Sequence, residues 1–246
     1  MQAREDFAGL LARGGVENAG KSFLDIGFGQ GLSLLSAASA NAYAVGCDIN
    51  PKCAQVLANN RCHFPEVSEQ LIHVIVGSIL EPATVKALTD LSPDGQGYDV
   101  VHSWGVLHHT GSMWRAIDTA ASLVRPGGVL ILALYNRHWT SPAWTVIKKC
   151  YVLSPTWLQN AAITAFYPLI FAAKWAVTRR NPMVMDRGMD FYYNVVDWIG
   201  GYPYEYASRD EVARYLEAKE FSLRHSRQSV VPTGCNEYAF CRISRE

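Results

Sequence analysis

The chain has 246 residues, 49% of them apolar, with 22 basic and 22 acidic side chains. That length and composition suit one sizeable α/β domain carrying an insertion, and they exclude a disordered chain. Zero net charge argues against a nucleic-acid partner, which usually demands a strong basic footprint. The six cysteines (Cys47, Cys53, Cys62, Cys150, Cys235, Cys241) contain no C-x-x-C pair, which points to reduced thiols in a cytoplasmic protein. The N-terminal stretch with Glu5 and Asp6 shows no apolar signal core and predicts no secretory leader.

In chain order, KSFLDI (21–26) reads as a short apolar strand ending at a glycine cluster, and LSLLSAASA (32–40) as a helix of small residues suited to packing on a sheet. AYAVGCD (42–48) is a second strand ending in an acid, and Pro51 opens a helix running to about Cys62. LIHVIV (71–76) predicts a third strand and VKAL (85–88) lies in a third helical patch. YDVVHSW (98–104) predicts the fourth strand, MWRAIDTAASLV (113–124) an amphipathic helix, and GVLILALY (128–135) a fifth strand after a turn at Pro126, Gly127 and Gly128. Apolar strands alternating with helices argue for a parallel sheet covered on both faces. Further on, Ser208-Arg-Asp-Glu is a capping box ahead of a helix at 209–219. The strands 221–230 and 235–243 then pair as a hairpin around Pro232, Thr233 and Gly234.

The alternation breaks after Tyr135. Between Arg137 and Asp190 stand seven basic side chains (Arg137, Lys148, Lys149, Lys174, Arg179, Arg180, Arg187) against two acids (Asp186, Asp190), an excess of five that leaves the rest of the chain negative by five. Such an insertion fits an anionic substrate or surface, or a solvated face. Within it, residues 157–178 are long and apolar enough to suggest a membrane span, but Gln159, Asn160, Thr164, Pro168 and Lys174 interrupt them. A cap helix pair burying its face on the domain is one reading. A helix in peripheral contact with a membrane, flanked by Lys174, Arg179 and Arg180, is the other.

The strongest motif is FLDIGFGQG, residues 23–31. Asp25 ends the first strand, and Gly27, Gly29 and Gly31 follow at alternate positions, where the chain can turn tightly and approach a ligand. A dinucleotide fingerprint needs G-x-G-x-x-G, and Leu32 stands where its third glycine belongs, which counts against a dehydrogenase. An acid with exposed backbone donors suits the ammonium and carboxylate of S-adenosylmethionine (SAM) instead. Asp48, ending the second strand, can accept from both hydroxyls of a ribose, with Ile49 beside it as an apolar face for adenine. Gly77, Ser78 and Ile79 end the third strand where an adenine edge would lie.

On these motifs, residues 21–135 resemble the class I SAM-dependent methyltransferase family. The resemblance implies an α/β fold: a Rossmann-like, mostly parallel sheet with a C-terminal antiparallel hairpin and a helical cap insertion. It assigns Asp25, Gly27 and Gly29 to the methionine part of SAM and Asp48 to the ribose, with Ser78 standing where the family often has an acid for the adenine amino group. SWGVLHHT (103–110) is similar to the S-x-G-V-L-x-H segment of enzymes that modify wobble uridine in tRNA and of small-molecule methylases. The likeness places Trp104 against the methionine moiety, its ring face toward the sulfonium.

Methyl transfer to a hydroxyl needs alignment and removal of a proton, which suits a histidine. His108 and His109 are adjacent and point in different directions. The family likeness favours His108 as the base, while capping the next helix or satisfying buried groups is the alternative for both. A metal site is disfavoured, since no second cluster with ligand spacing exists. Tyr135 and Arg137 end the fifth strand at the edge where α/β ligands bind, and Tyr192, Tyr193, Tyr202 and Glu205 are further candidates to line an acceptor pocket. The expected organisation is a SAM-binding core at 1–136, a cap at 137–207, and a C-terminal helix and hairpin at 208–246. The leading expectation is an O-methyltransferase acting on a small metabolite, sugar or lipid-linked acceptor. A tRNA-modifying enzyme and a non-catalytic SAM-binding module are the alternatives.

Overall fold

The computed structural model describes residues 8–9, 11–12, 15–16, 21–184, 191–231 and 233–244. Glu5, Asp6, Asp186, Arg187, Asp190 and Pro232 lie outside the described residues. Strands β1 (Ser22–Ile26), β2 (Tyr43–Asp48), β3 (Ile72–Val76), β4 (Tyr98–Trp104) and β5 (Val124–Tyr135) run parallel. β7 (Cys235–Arg242) lies antiparallel beside β5, and β6 (Phe221–Arg227) closes that edge, giving the order β3-β2-β1-β4-β5-β7-β6. Every residue of β1 is buried, because side chains leave a central parallel strand alternately to two covered faces. Thus Phe23 joins one apolar layer and Leu24 the other.

The helices fill those layers as their sequences dictate. In α1 (Leu32–Ser39) small and leucine side chains are buried almost throughout. α2 (Lys52–Asn60) and α3 (Pro82–Asp90), which has proline in its first turn, follow β2 and β3. α4 (Met113–Ser122) buries Met113, Ala116, Ile117, Ala120 and Ala121, a stripe at helical spacing. The helix α8 (Arg209–Glu217) carries the expected capping box: Ser208 Oγ accepts from Glu211 N at 3.2 Å, and the Glu211 carboxylate accepts from Ser208 N at 2.7 Å.

α3 contains the expected helical patch at 85–88 and starts at Pro82, a first-turn position that proline suits. β5 begins at Val124, because the Pro126-Gly127-Gly128 segment does not end the strand but bulges from it: Tyr98 pairs with Val124, yet Val100 pairs with Val129.

The insertion folds as three helices, α5 (Ser141–Leu153), α6 (Thr156–Thr178) and α7 (Phe191–Gly200). They share an apolar cluster of Ile163, Ile170, Phe191, Val195 and Ile199. α6 is one continuous helix through Pro168, and Ile163 and Ile170 are its buried residues; its inner stripe packs on α7 rather than on the sheet.

The sheet positions the site. From β1 the chain moves outward through β2 and β3, then crosses back to place β4 on the other side of β1. Ligands in open α/β sheets bind at the carboxyl ends of the strands where the order reverses, here β1 and β4.

Candidate active site

A cavity of about 500 Å³ opens at that switch point, within the size range of small-molecule sites. Its floor is the loop after β1. Gly27 has φ +76° and a Cβ there would lie 2.4 Å from Val106 Cγ2, so only glycine fits. Gly29, at φ +51°, faces open space, leaving its backbone free to approach a ligand.

Asp48 organises the adjoining wall. Its Oδ2 accepts from Gly29 N at 3.0 Å and its Oδ1 from Asn50 N at 2.8 Å, tying the β1 and β2 loops together while the carboxylate still lines the cavity. Ile49 is largely exposed beside it, and Ser78 and Ile79 contribute from the end of β3, with Ser78 Oγ accepting from Leu80 N at 3.2 Å. Cys47 and Cys53 also line this wall; burial, with Asp48 nearby, pushes their thiols up to about 12 and about 11, so both stay protonated. Neither cysteine carries a signal in the sequence beyond its closeness to Asp48.

Three residues expected at the cofactor lie elsewhere. Asp25 is buried beneath the loop, with Oδ1 2.7 Å from His102 Nδ1, a pairing that the β1–β4 register makes by setting the two residues side by side. Gly31 sits in the left-handed region as the N-cap of α1, and a Cβ there would lie 2.3 Å from Leu57 Cδ1; its glycine serves packing. Trp104 stacks on His102 with ring centroids 5.9 Å apart and packs against the apolar layer on the α1 side. None of the three is among the residues lining the cavity.

The opposite wall comes from the loop after β4, where Gly105 (φ +76°), Val106, His109 and Thr110 face the cavity. Leu107–His109 form a 3-10 turn, in which successive side chains point about 120° apart, so the two histidines separate. His109 reaches the cavity. Its Nδ1 lies 2.7 Å from the Pro203 carbonyl, which can only accept, so Nδ1 carries the proton and Nε2 keeps the lone pair. Burial lowers its pKa, opposed by the Pro203 carbonyl and Asp197. His108, the residue favoured by family likeness, turns inward instead. It is 1% exposed, its Nδ1 accepts from Tyr135 N at 3.4 Å, and burial holds it well below the ordinary imidazole range.

Beyond His109 the cap meets the core in a polar cluster that sequence reading missed. Lys148 is buried, donates to the Asp197 carbonyl at 3.0 Å, and lies 5.3 and 4.9 Å from the Tyr135 and Tyr204 ring centres. Burial pulls its pKa down to about 8, against the pull of Asp197. The Tyr135 hydroxyl donates to Asp197 Oδ2 at 3.4 Å, and its ring meets His109 edge-on at 5.4 Å. Lys148 and Asp197 lie on two cap helices, so no local motif announces their meeting.

The remaining acceptor candidates divide. Tyr135 lies in this cluster, buried. Arg137 is held by both oxygens of Glu211 at 2.9 Å, clamped to α8. Glu205 Oε2 accepts from Met113 N at 2.9 Å, so it caps α4. Tyr192 and Tyr193 lie on α7 with 47% and 72% exposure, facing outward, and Tyr202 is partly exposed beside the His109–Pro203 contact.

Comparison with known proteins matches residues 2–187 to a methyltransferase domain. A ubiquinone biosynthesis O-methyltransferase of Coxiella burnetii is 25% identical over 135 residues, covering 55% of this chain and 52% of that protein. Its counterpart in Nitrosospira multiformis is 29% identical over 136 residues, with the same coverage of 55% and 52%. The chain thus spans about half the length of the curated relatives it matches. Among solved structures, magnesium protoporphyrin IX methyltransferase from Synechocystis, with bound S-adenosylhomocysteine, aligns at a TM-score of 0.57 and 18% identity over 98% of this chain and 81% of that one. PKMT2 from Rickettsia typhi aligns at 0.64 and 13% identity, covering 100% and 55%.

Proposed function

Because the chain belongs to the methyltransferase-domain family of class I SAM-dependent enzymes, we propose that it methylates a hydroxyl of a small aromatic or lipid-linked metabolite, with His109 as general base. The observation that carries this reading is the His109 ring on the cavity wall, its tautomer set by the Pro203 carbonyl.

The cavity suits SAM. Asp48 offers a carboxylate to a ribose diol, Ile49 and Ile79 offer apolar surface to adenine, and the open face of Gly29 admits the ligand's close approach. When bound, SAM supplies a methyl carbon activated by positive sulfur. The protein's part is alignment and proton removal. His109 Nε2 takes the proton from the acceptor hydroxyl as its oxygen attacks, and burial keeps the imidazole neutral for that task. Tyr135 and Tyr204 pack as buried rings behind His109, Tyr135 meeting its imidazole edge-on, and the ubiquinone biosynthesis relatives are in keeping with an aromatic acceptor.

The test uses methyl-labelled SAM, the purified protein and a cell extract, with label counted in organic-soluble, RNA and small water-soluble fractions. Label in the organic or small-molecule pool supports the reading. Label confined to RNA overturns it.

A further inference from the structure

α6 is apolar on nearly every side, yet little of it is covered. A helix apolar all round normally sits inside protein or lipid, but only 11% of its most apolar window is buried. Its inner stripe, with Ile163, Phe166, Ile170 and Phe171, packs on α7. The outer face at Trp157, Leu158, Ala161, Ala165, Leu169 and Ala172 is exposed, Trp157 by 71% and Leu169 by 63%. Trp139 and Leu153 of the same cap are 85% and 75% exposed. Solvated protein surfaces seldom gather so much bulky apolar surface on one element.

Charge indicates what covers it. From His138 to Val184 the chain has no Asp or Glu, while Lys149, Arg179 and Arg180 stand exposed on the cap. The Arg179 guanidinium lies 5.8 Å from the ring centre of the exposed Trp175 at the end of α6, whereas Lys174 Nζ lies 5.8 Å from the buried Phe191 ring and so turns toward α7. Asp197, the acid on the cap helices among the described residues, faces Tyr135 rather than this surface.

We propose that the outer face of the α5–α6 hairpin docks on the surface of an anionic phospholipid bilayer, with α6 lying in the interface. Tryptophans at headgroup depth, cations at the rim and an apolar face directed at the acyl chains are the pattern of an interfacial helix. At 23 residues α6 is about 34 Å long, but its inner stripe fixes it to α7, so it lies along the body instead of spanning. α7 also carries Asp197 to the His109 end of the site, so the docked cap would form the side from which a lipid-soluble acceptor enters.

The experiment is co-sedimentation of the full chain with vesicles of phosphatidylcholine, alone or mixed equally with phosphatidylglycerol. The protein pellets with the mixed vesicles and far less with the neutral ones. Leu169→Glu and Trp157→Glu each reduce that partition at least tenfold, and Arg179→Gln reduces it roughly fivefold, all three with S-adenosylhomocysteine affinity unchanged as proof of folding. No partition on mixed vesicles, equal partition on both compositions, or glutamate variants that bind as well as the parent would overturn the proposal. So would a dimer in sedimentation equilibrium that Leu169→Glu dissolves, which would assign the face to a second copy of the chain.

Discussion

Alanine at position 27 would put a Cβ 2.4 and 2.6 Å from the two methyls of Val106, across the loop that forms the cavity floor. Two costs add. An L-residue in the left-handed region, which φ +76° requires, costs about 1–2 kcal/mol. Overpacking against Val106 costs about 1–3 kcal/mol more. The sum, on the order of 2–5 kcal/mol, falls between ligand affinity and stability, because the β1 loop and the β4 loop must move apart. Expressed wholly in binding it weakens S-adenosylhomocysteine by roughly thirtyfold to several thousandfold. Expressed in stability it lowers Tm by about 2–4 °C per kcal/mol for a chain this size. Calorimetric titration and thermal melts on Gly27→Ala read both. Adding Val106→Ala removes the two closest methyls and leaves the Cβ of residue 106 at 2.9 Å, so the double variant recovers most of the overpacking share and keeps the dihedral cost, roughly a tenfold deficit. Unchanged affinity and Tm in Gly27→Ala, or no recovery in the double variant, would refute the packing of these two loops.

Other predictions rest on separate features. His108 and His109 both titrate lower in the folded chain than the unfolded value of about 6.5, so stability is level above that pH and falls below it, by up to about 1.4 kcal/mol per pH unit for each group. Urea melts across the acid range should show this slope, and His108→Gln should flatten it. Lys148→Met removes a buried ammonium whose acceptor, the Asp197 carbonyl, keeps its bond from Gly201 N at 2.8 Å. Thermal melts should show it as stable as the parent or more so, by about 1–3 kcal/mol, and a marked fall in Tm would contradict the burial argument. Ser208→Ala breaks the α8 capping box and should cost about 1 kcal/mol in chemical denaturation.

How far the sequence reaches is clearest in β1 and β4. The apolar runs identify both strands, and Asp48 followed by Pro51 marks the end of β2 and the helix beyond it. Those signals are local, carried by the pattern of a strand buried on both faces and by proline's place in a first helical turn. The Asp25–His102 pair spans 77 positions and exists only through the register of β1 against β4. The directions of His108 and His109 are not legible for a related reason. Strand alternation sets directions up to Trp104, but Gly105 turns the chain at positive φ and a 3-10 turn follows, so neither period extends into the loop. Arg137 and Glu205 stand at plausible strand-end and cap positions, yet each finds its partner at a helix N-terminus, Glu211 and Met113 N, far along the chain.

The measurement closest to the central claim compares methyl transfer by the parent, His109→Asn and His108→Gln once an accepting pool is in hand. Asparagine keeps a donor for the Pro203 carbonyl while removing the base. His109→Asn is expected to lose about a hundredfold or more in transfer while binding S-adenosylhomocysteine as the parent does. His108→Gln is expected to retain most of the rate at neutral pH, changing mainly the acid stability. Full activity in His109→Asn, or lost activity in a folded His108→Gln with normal ligand affinity, would contradict the assignment of the base to the cavity wall.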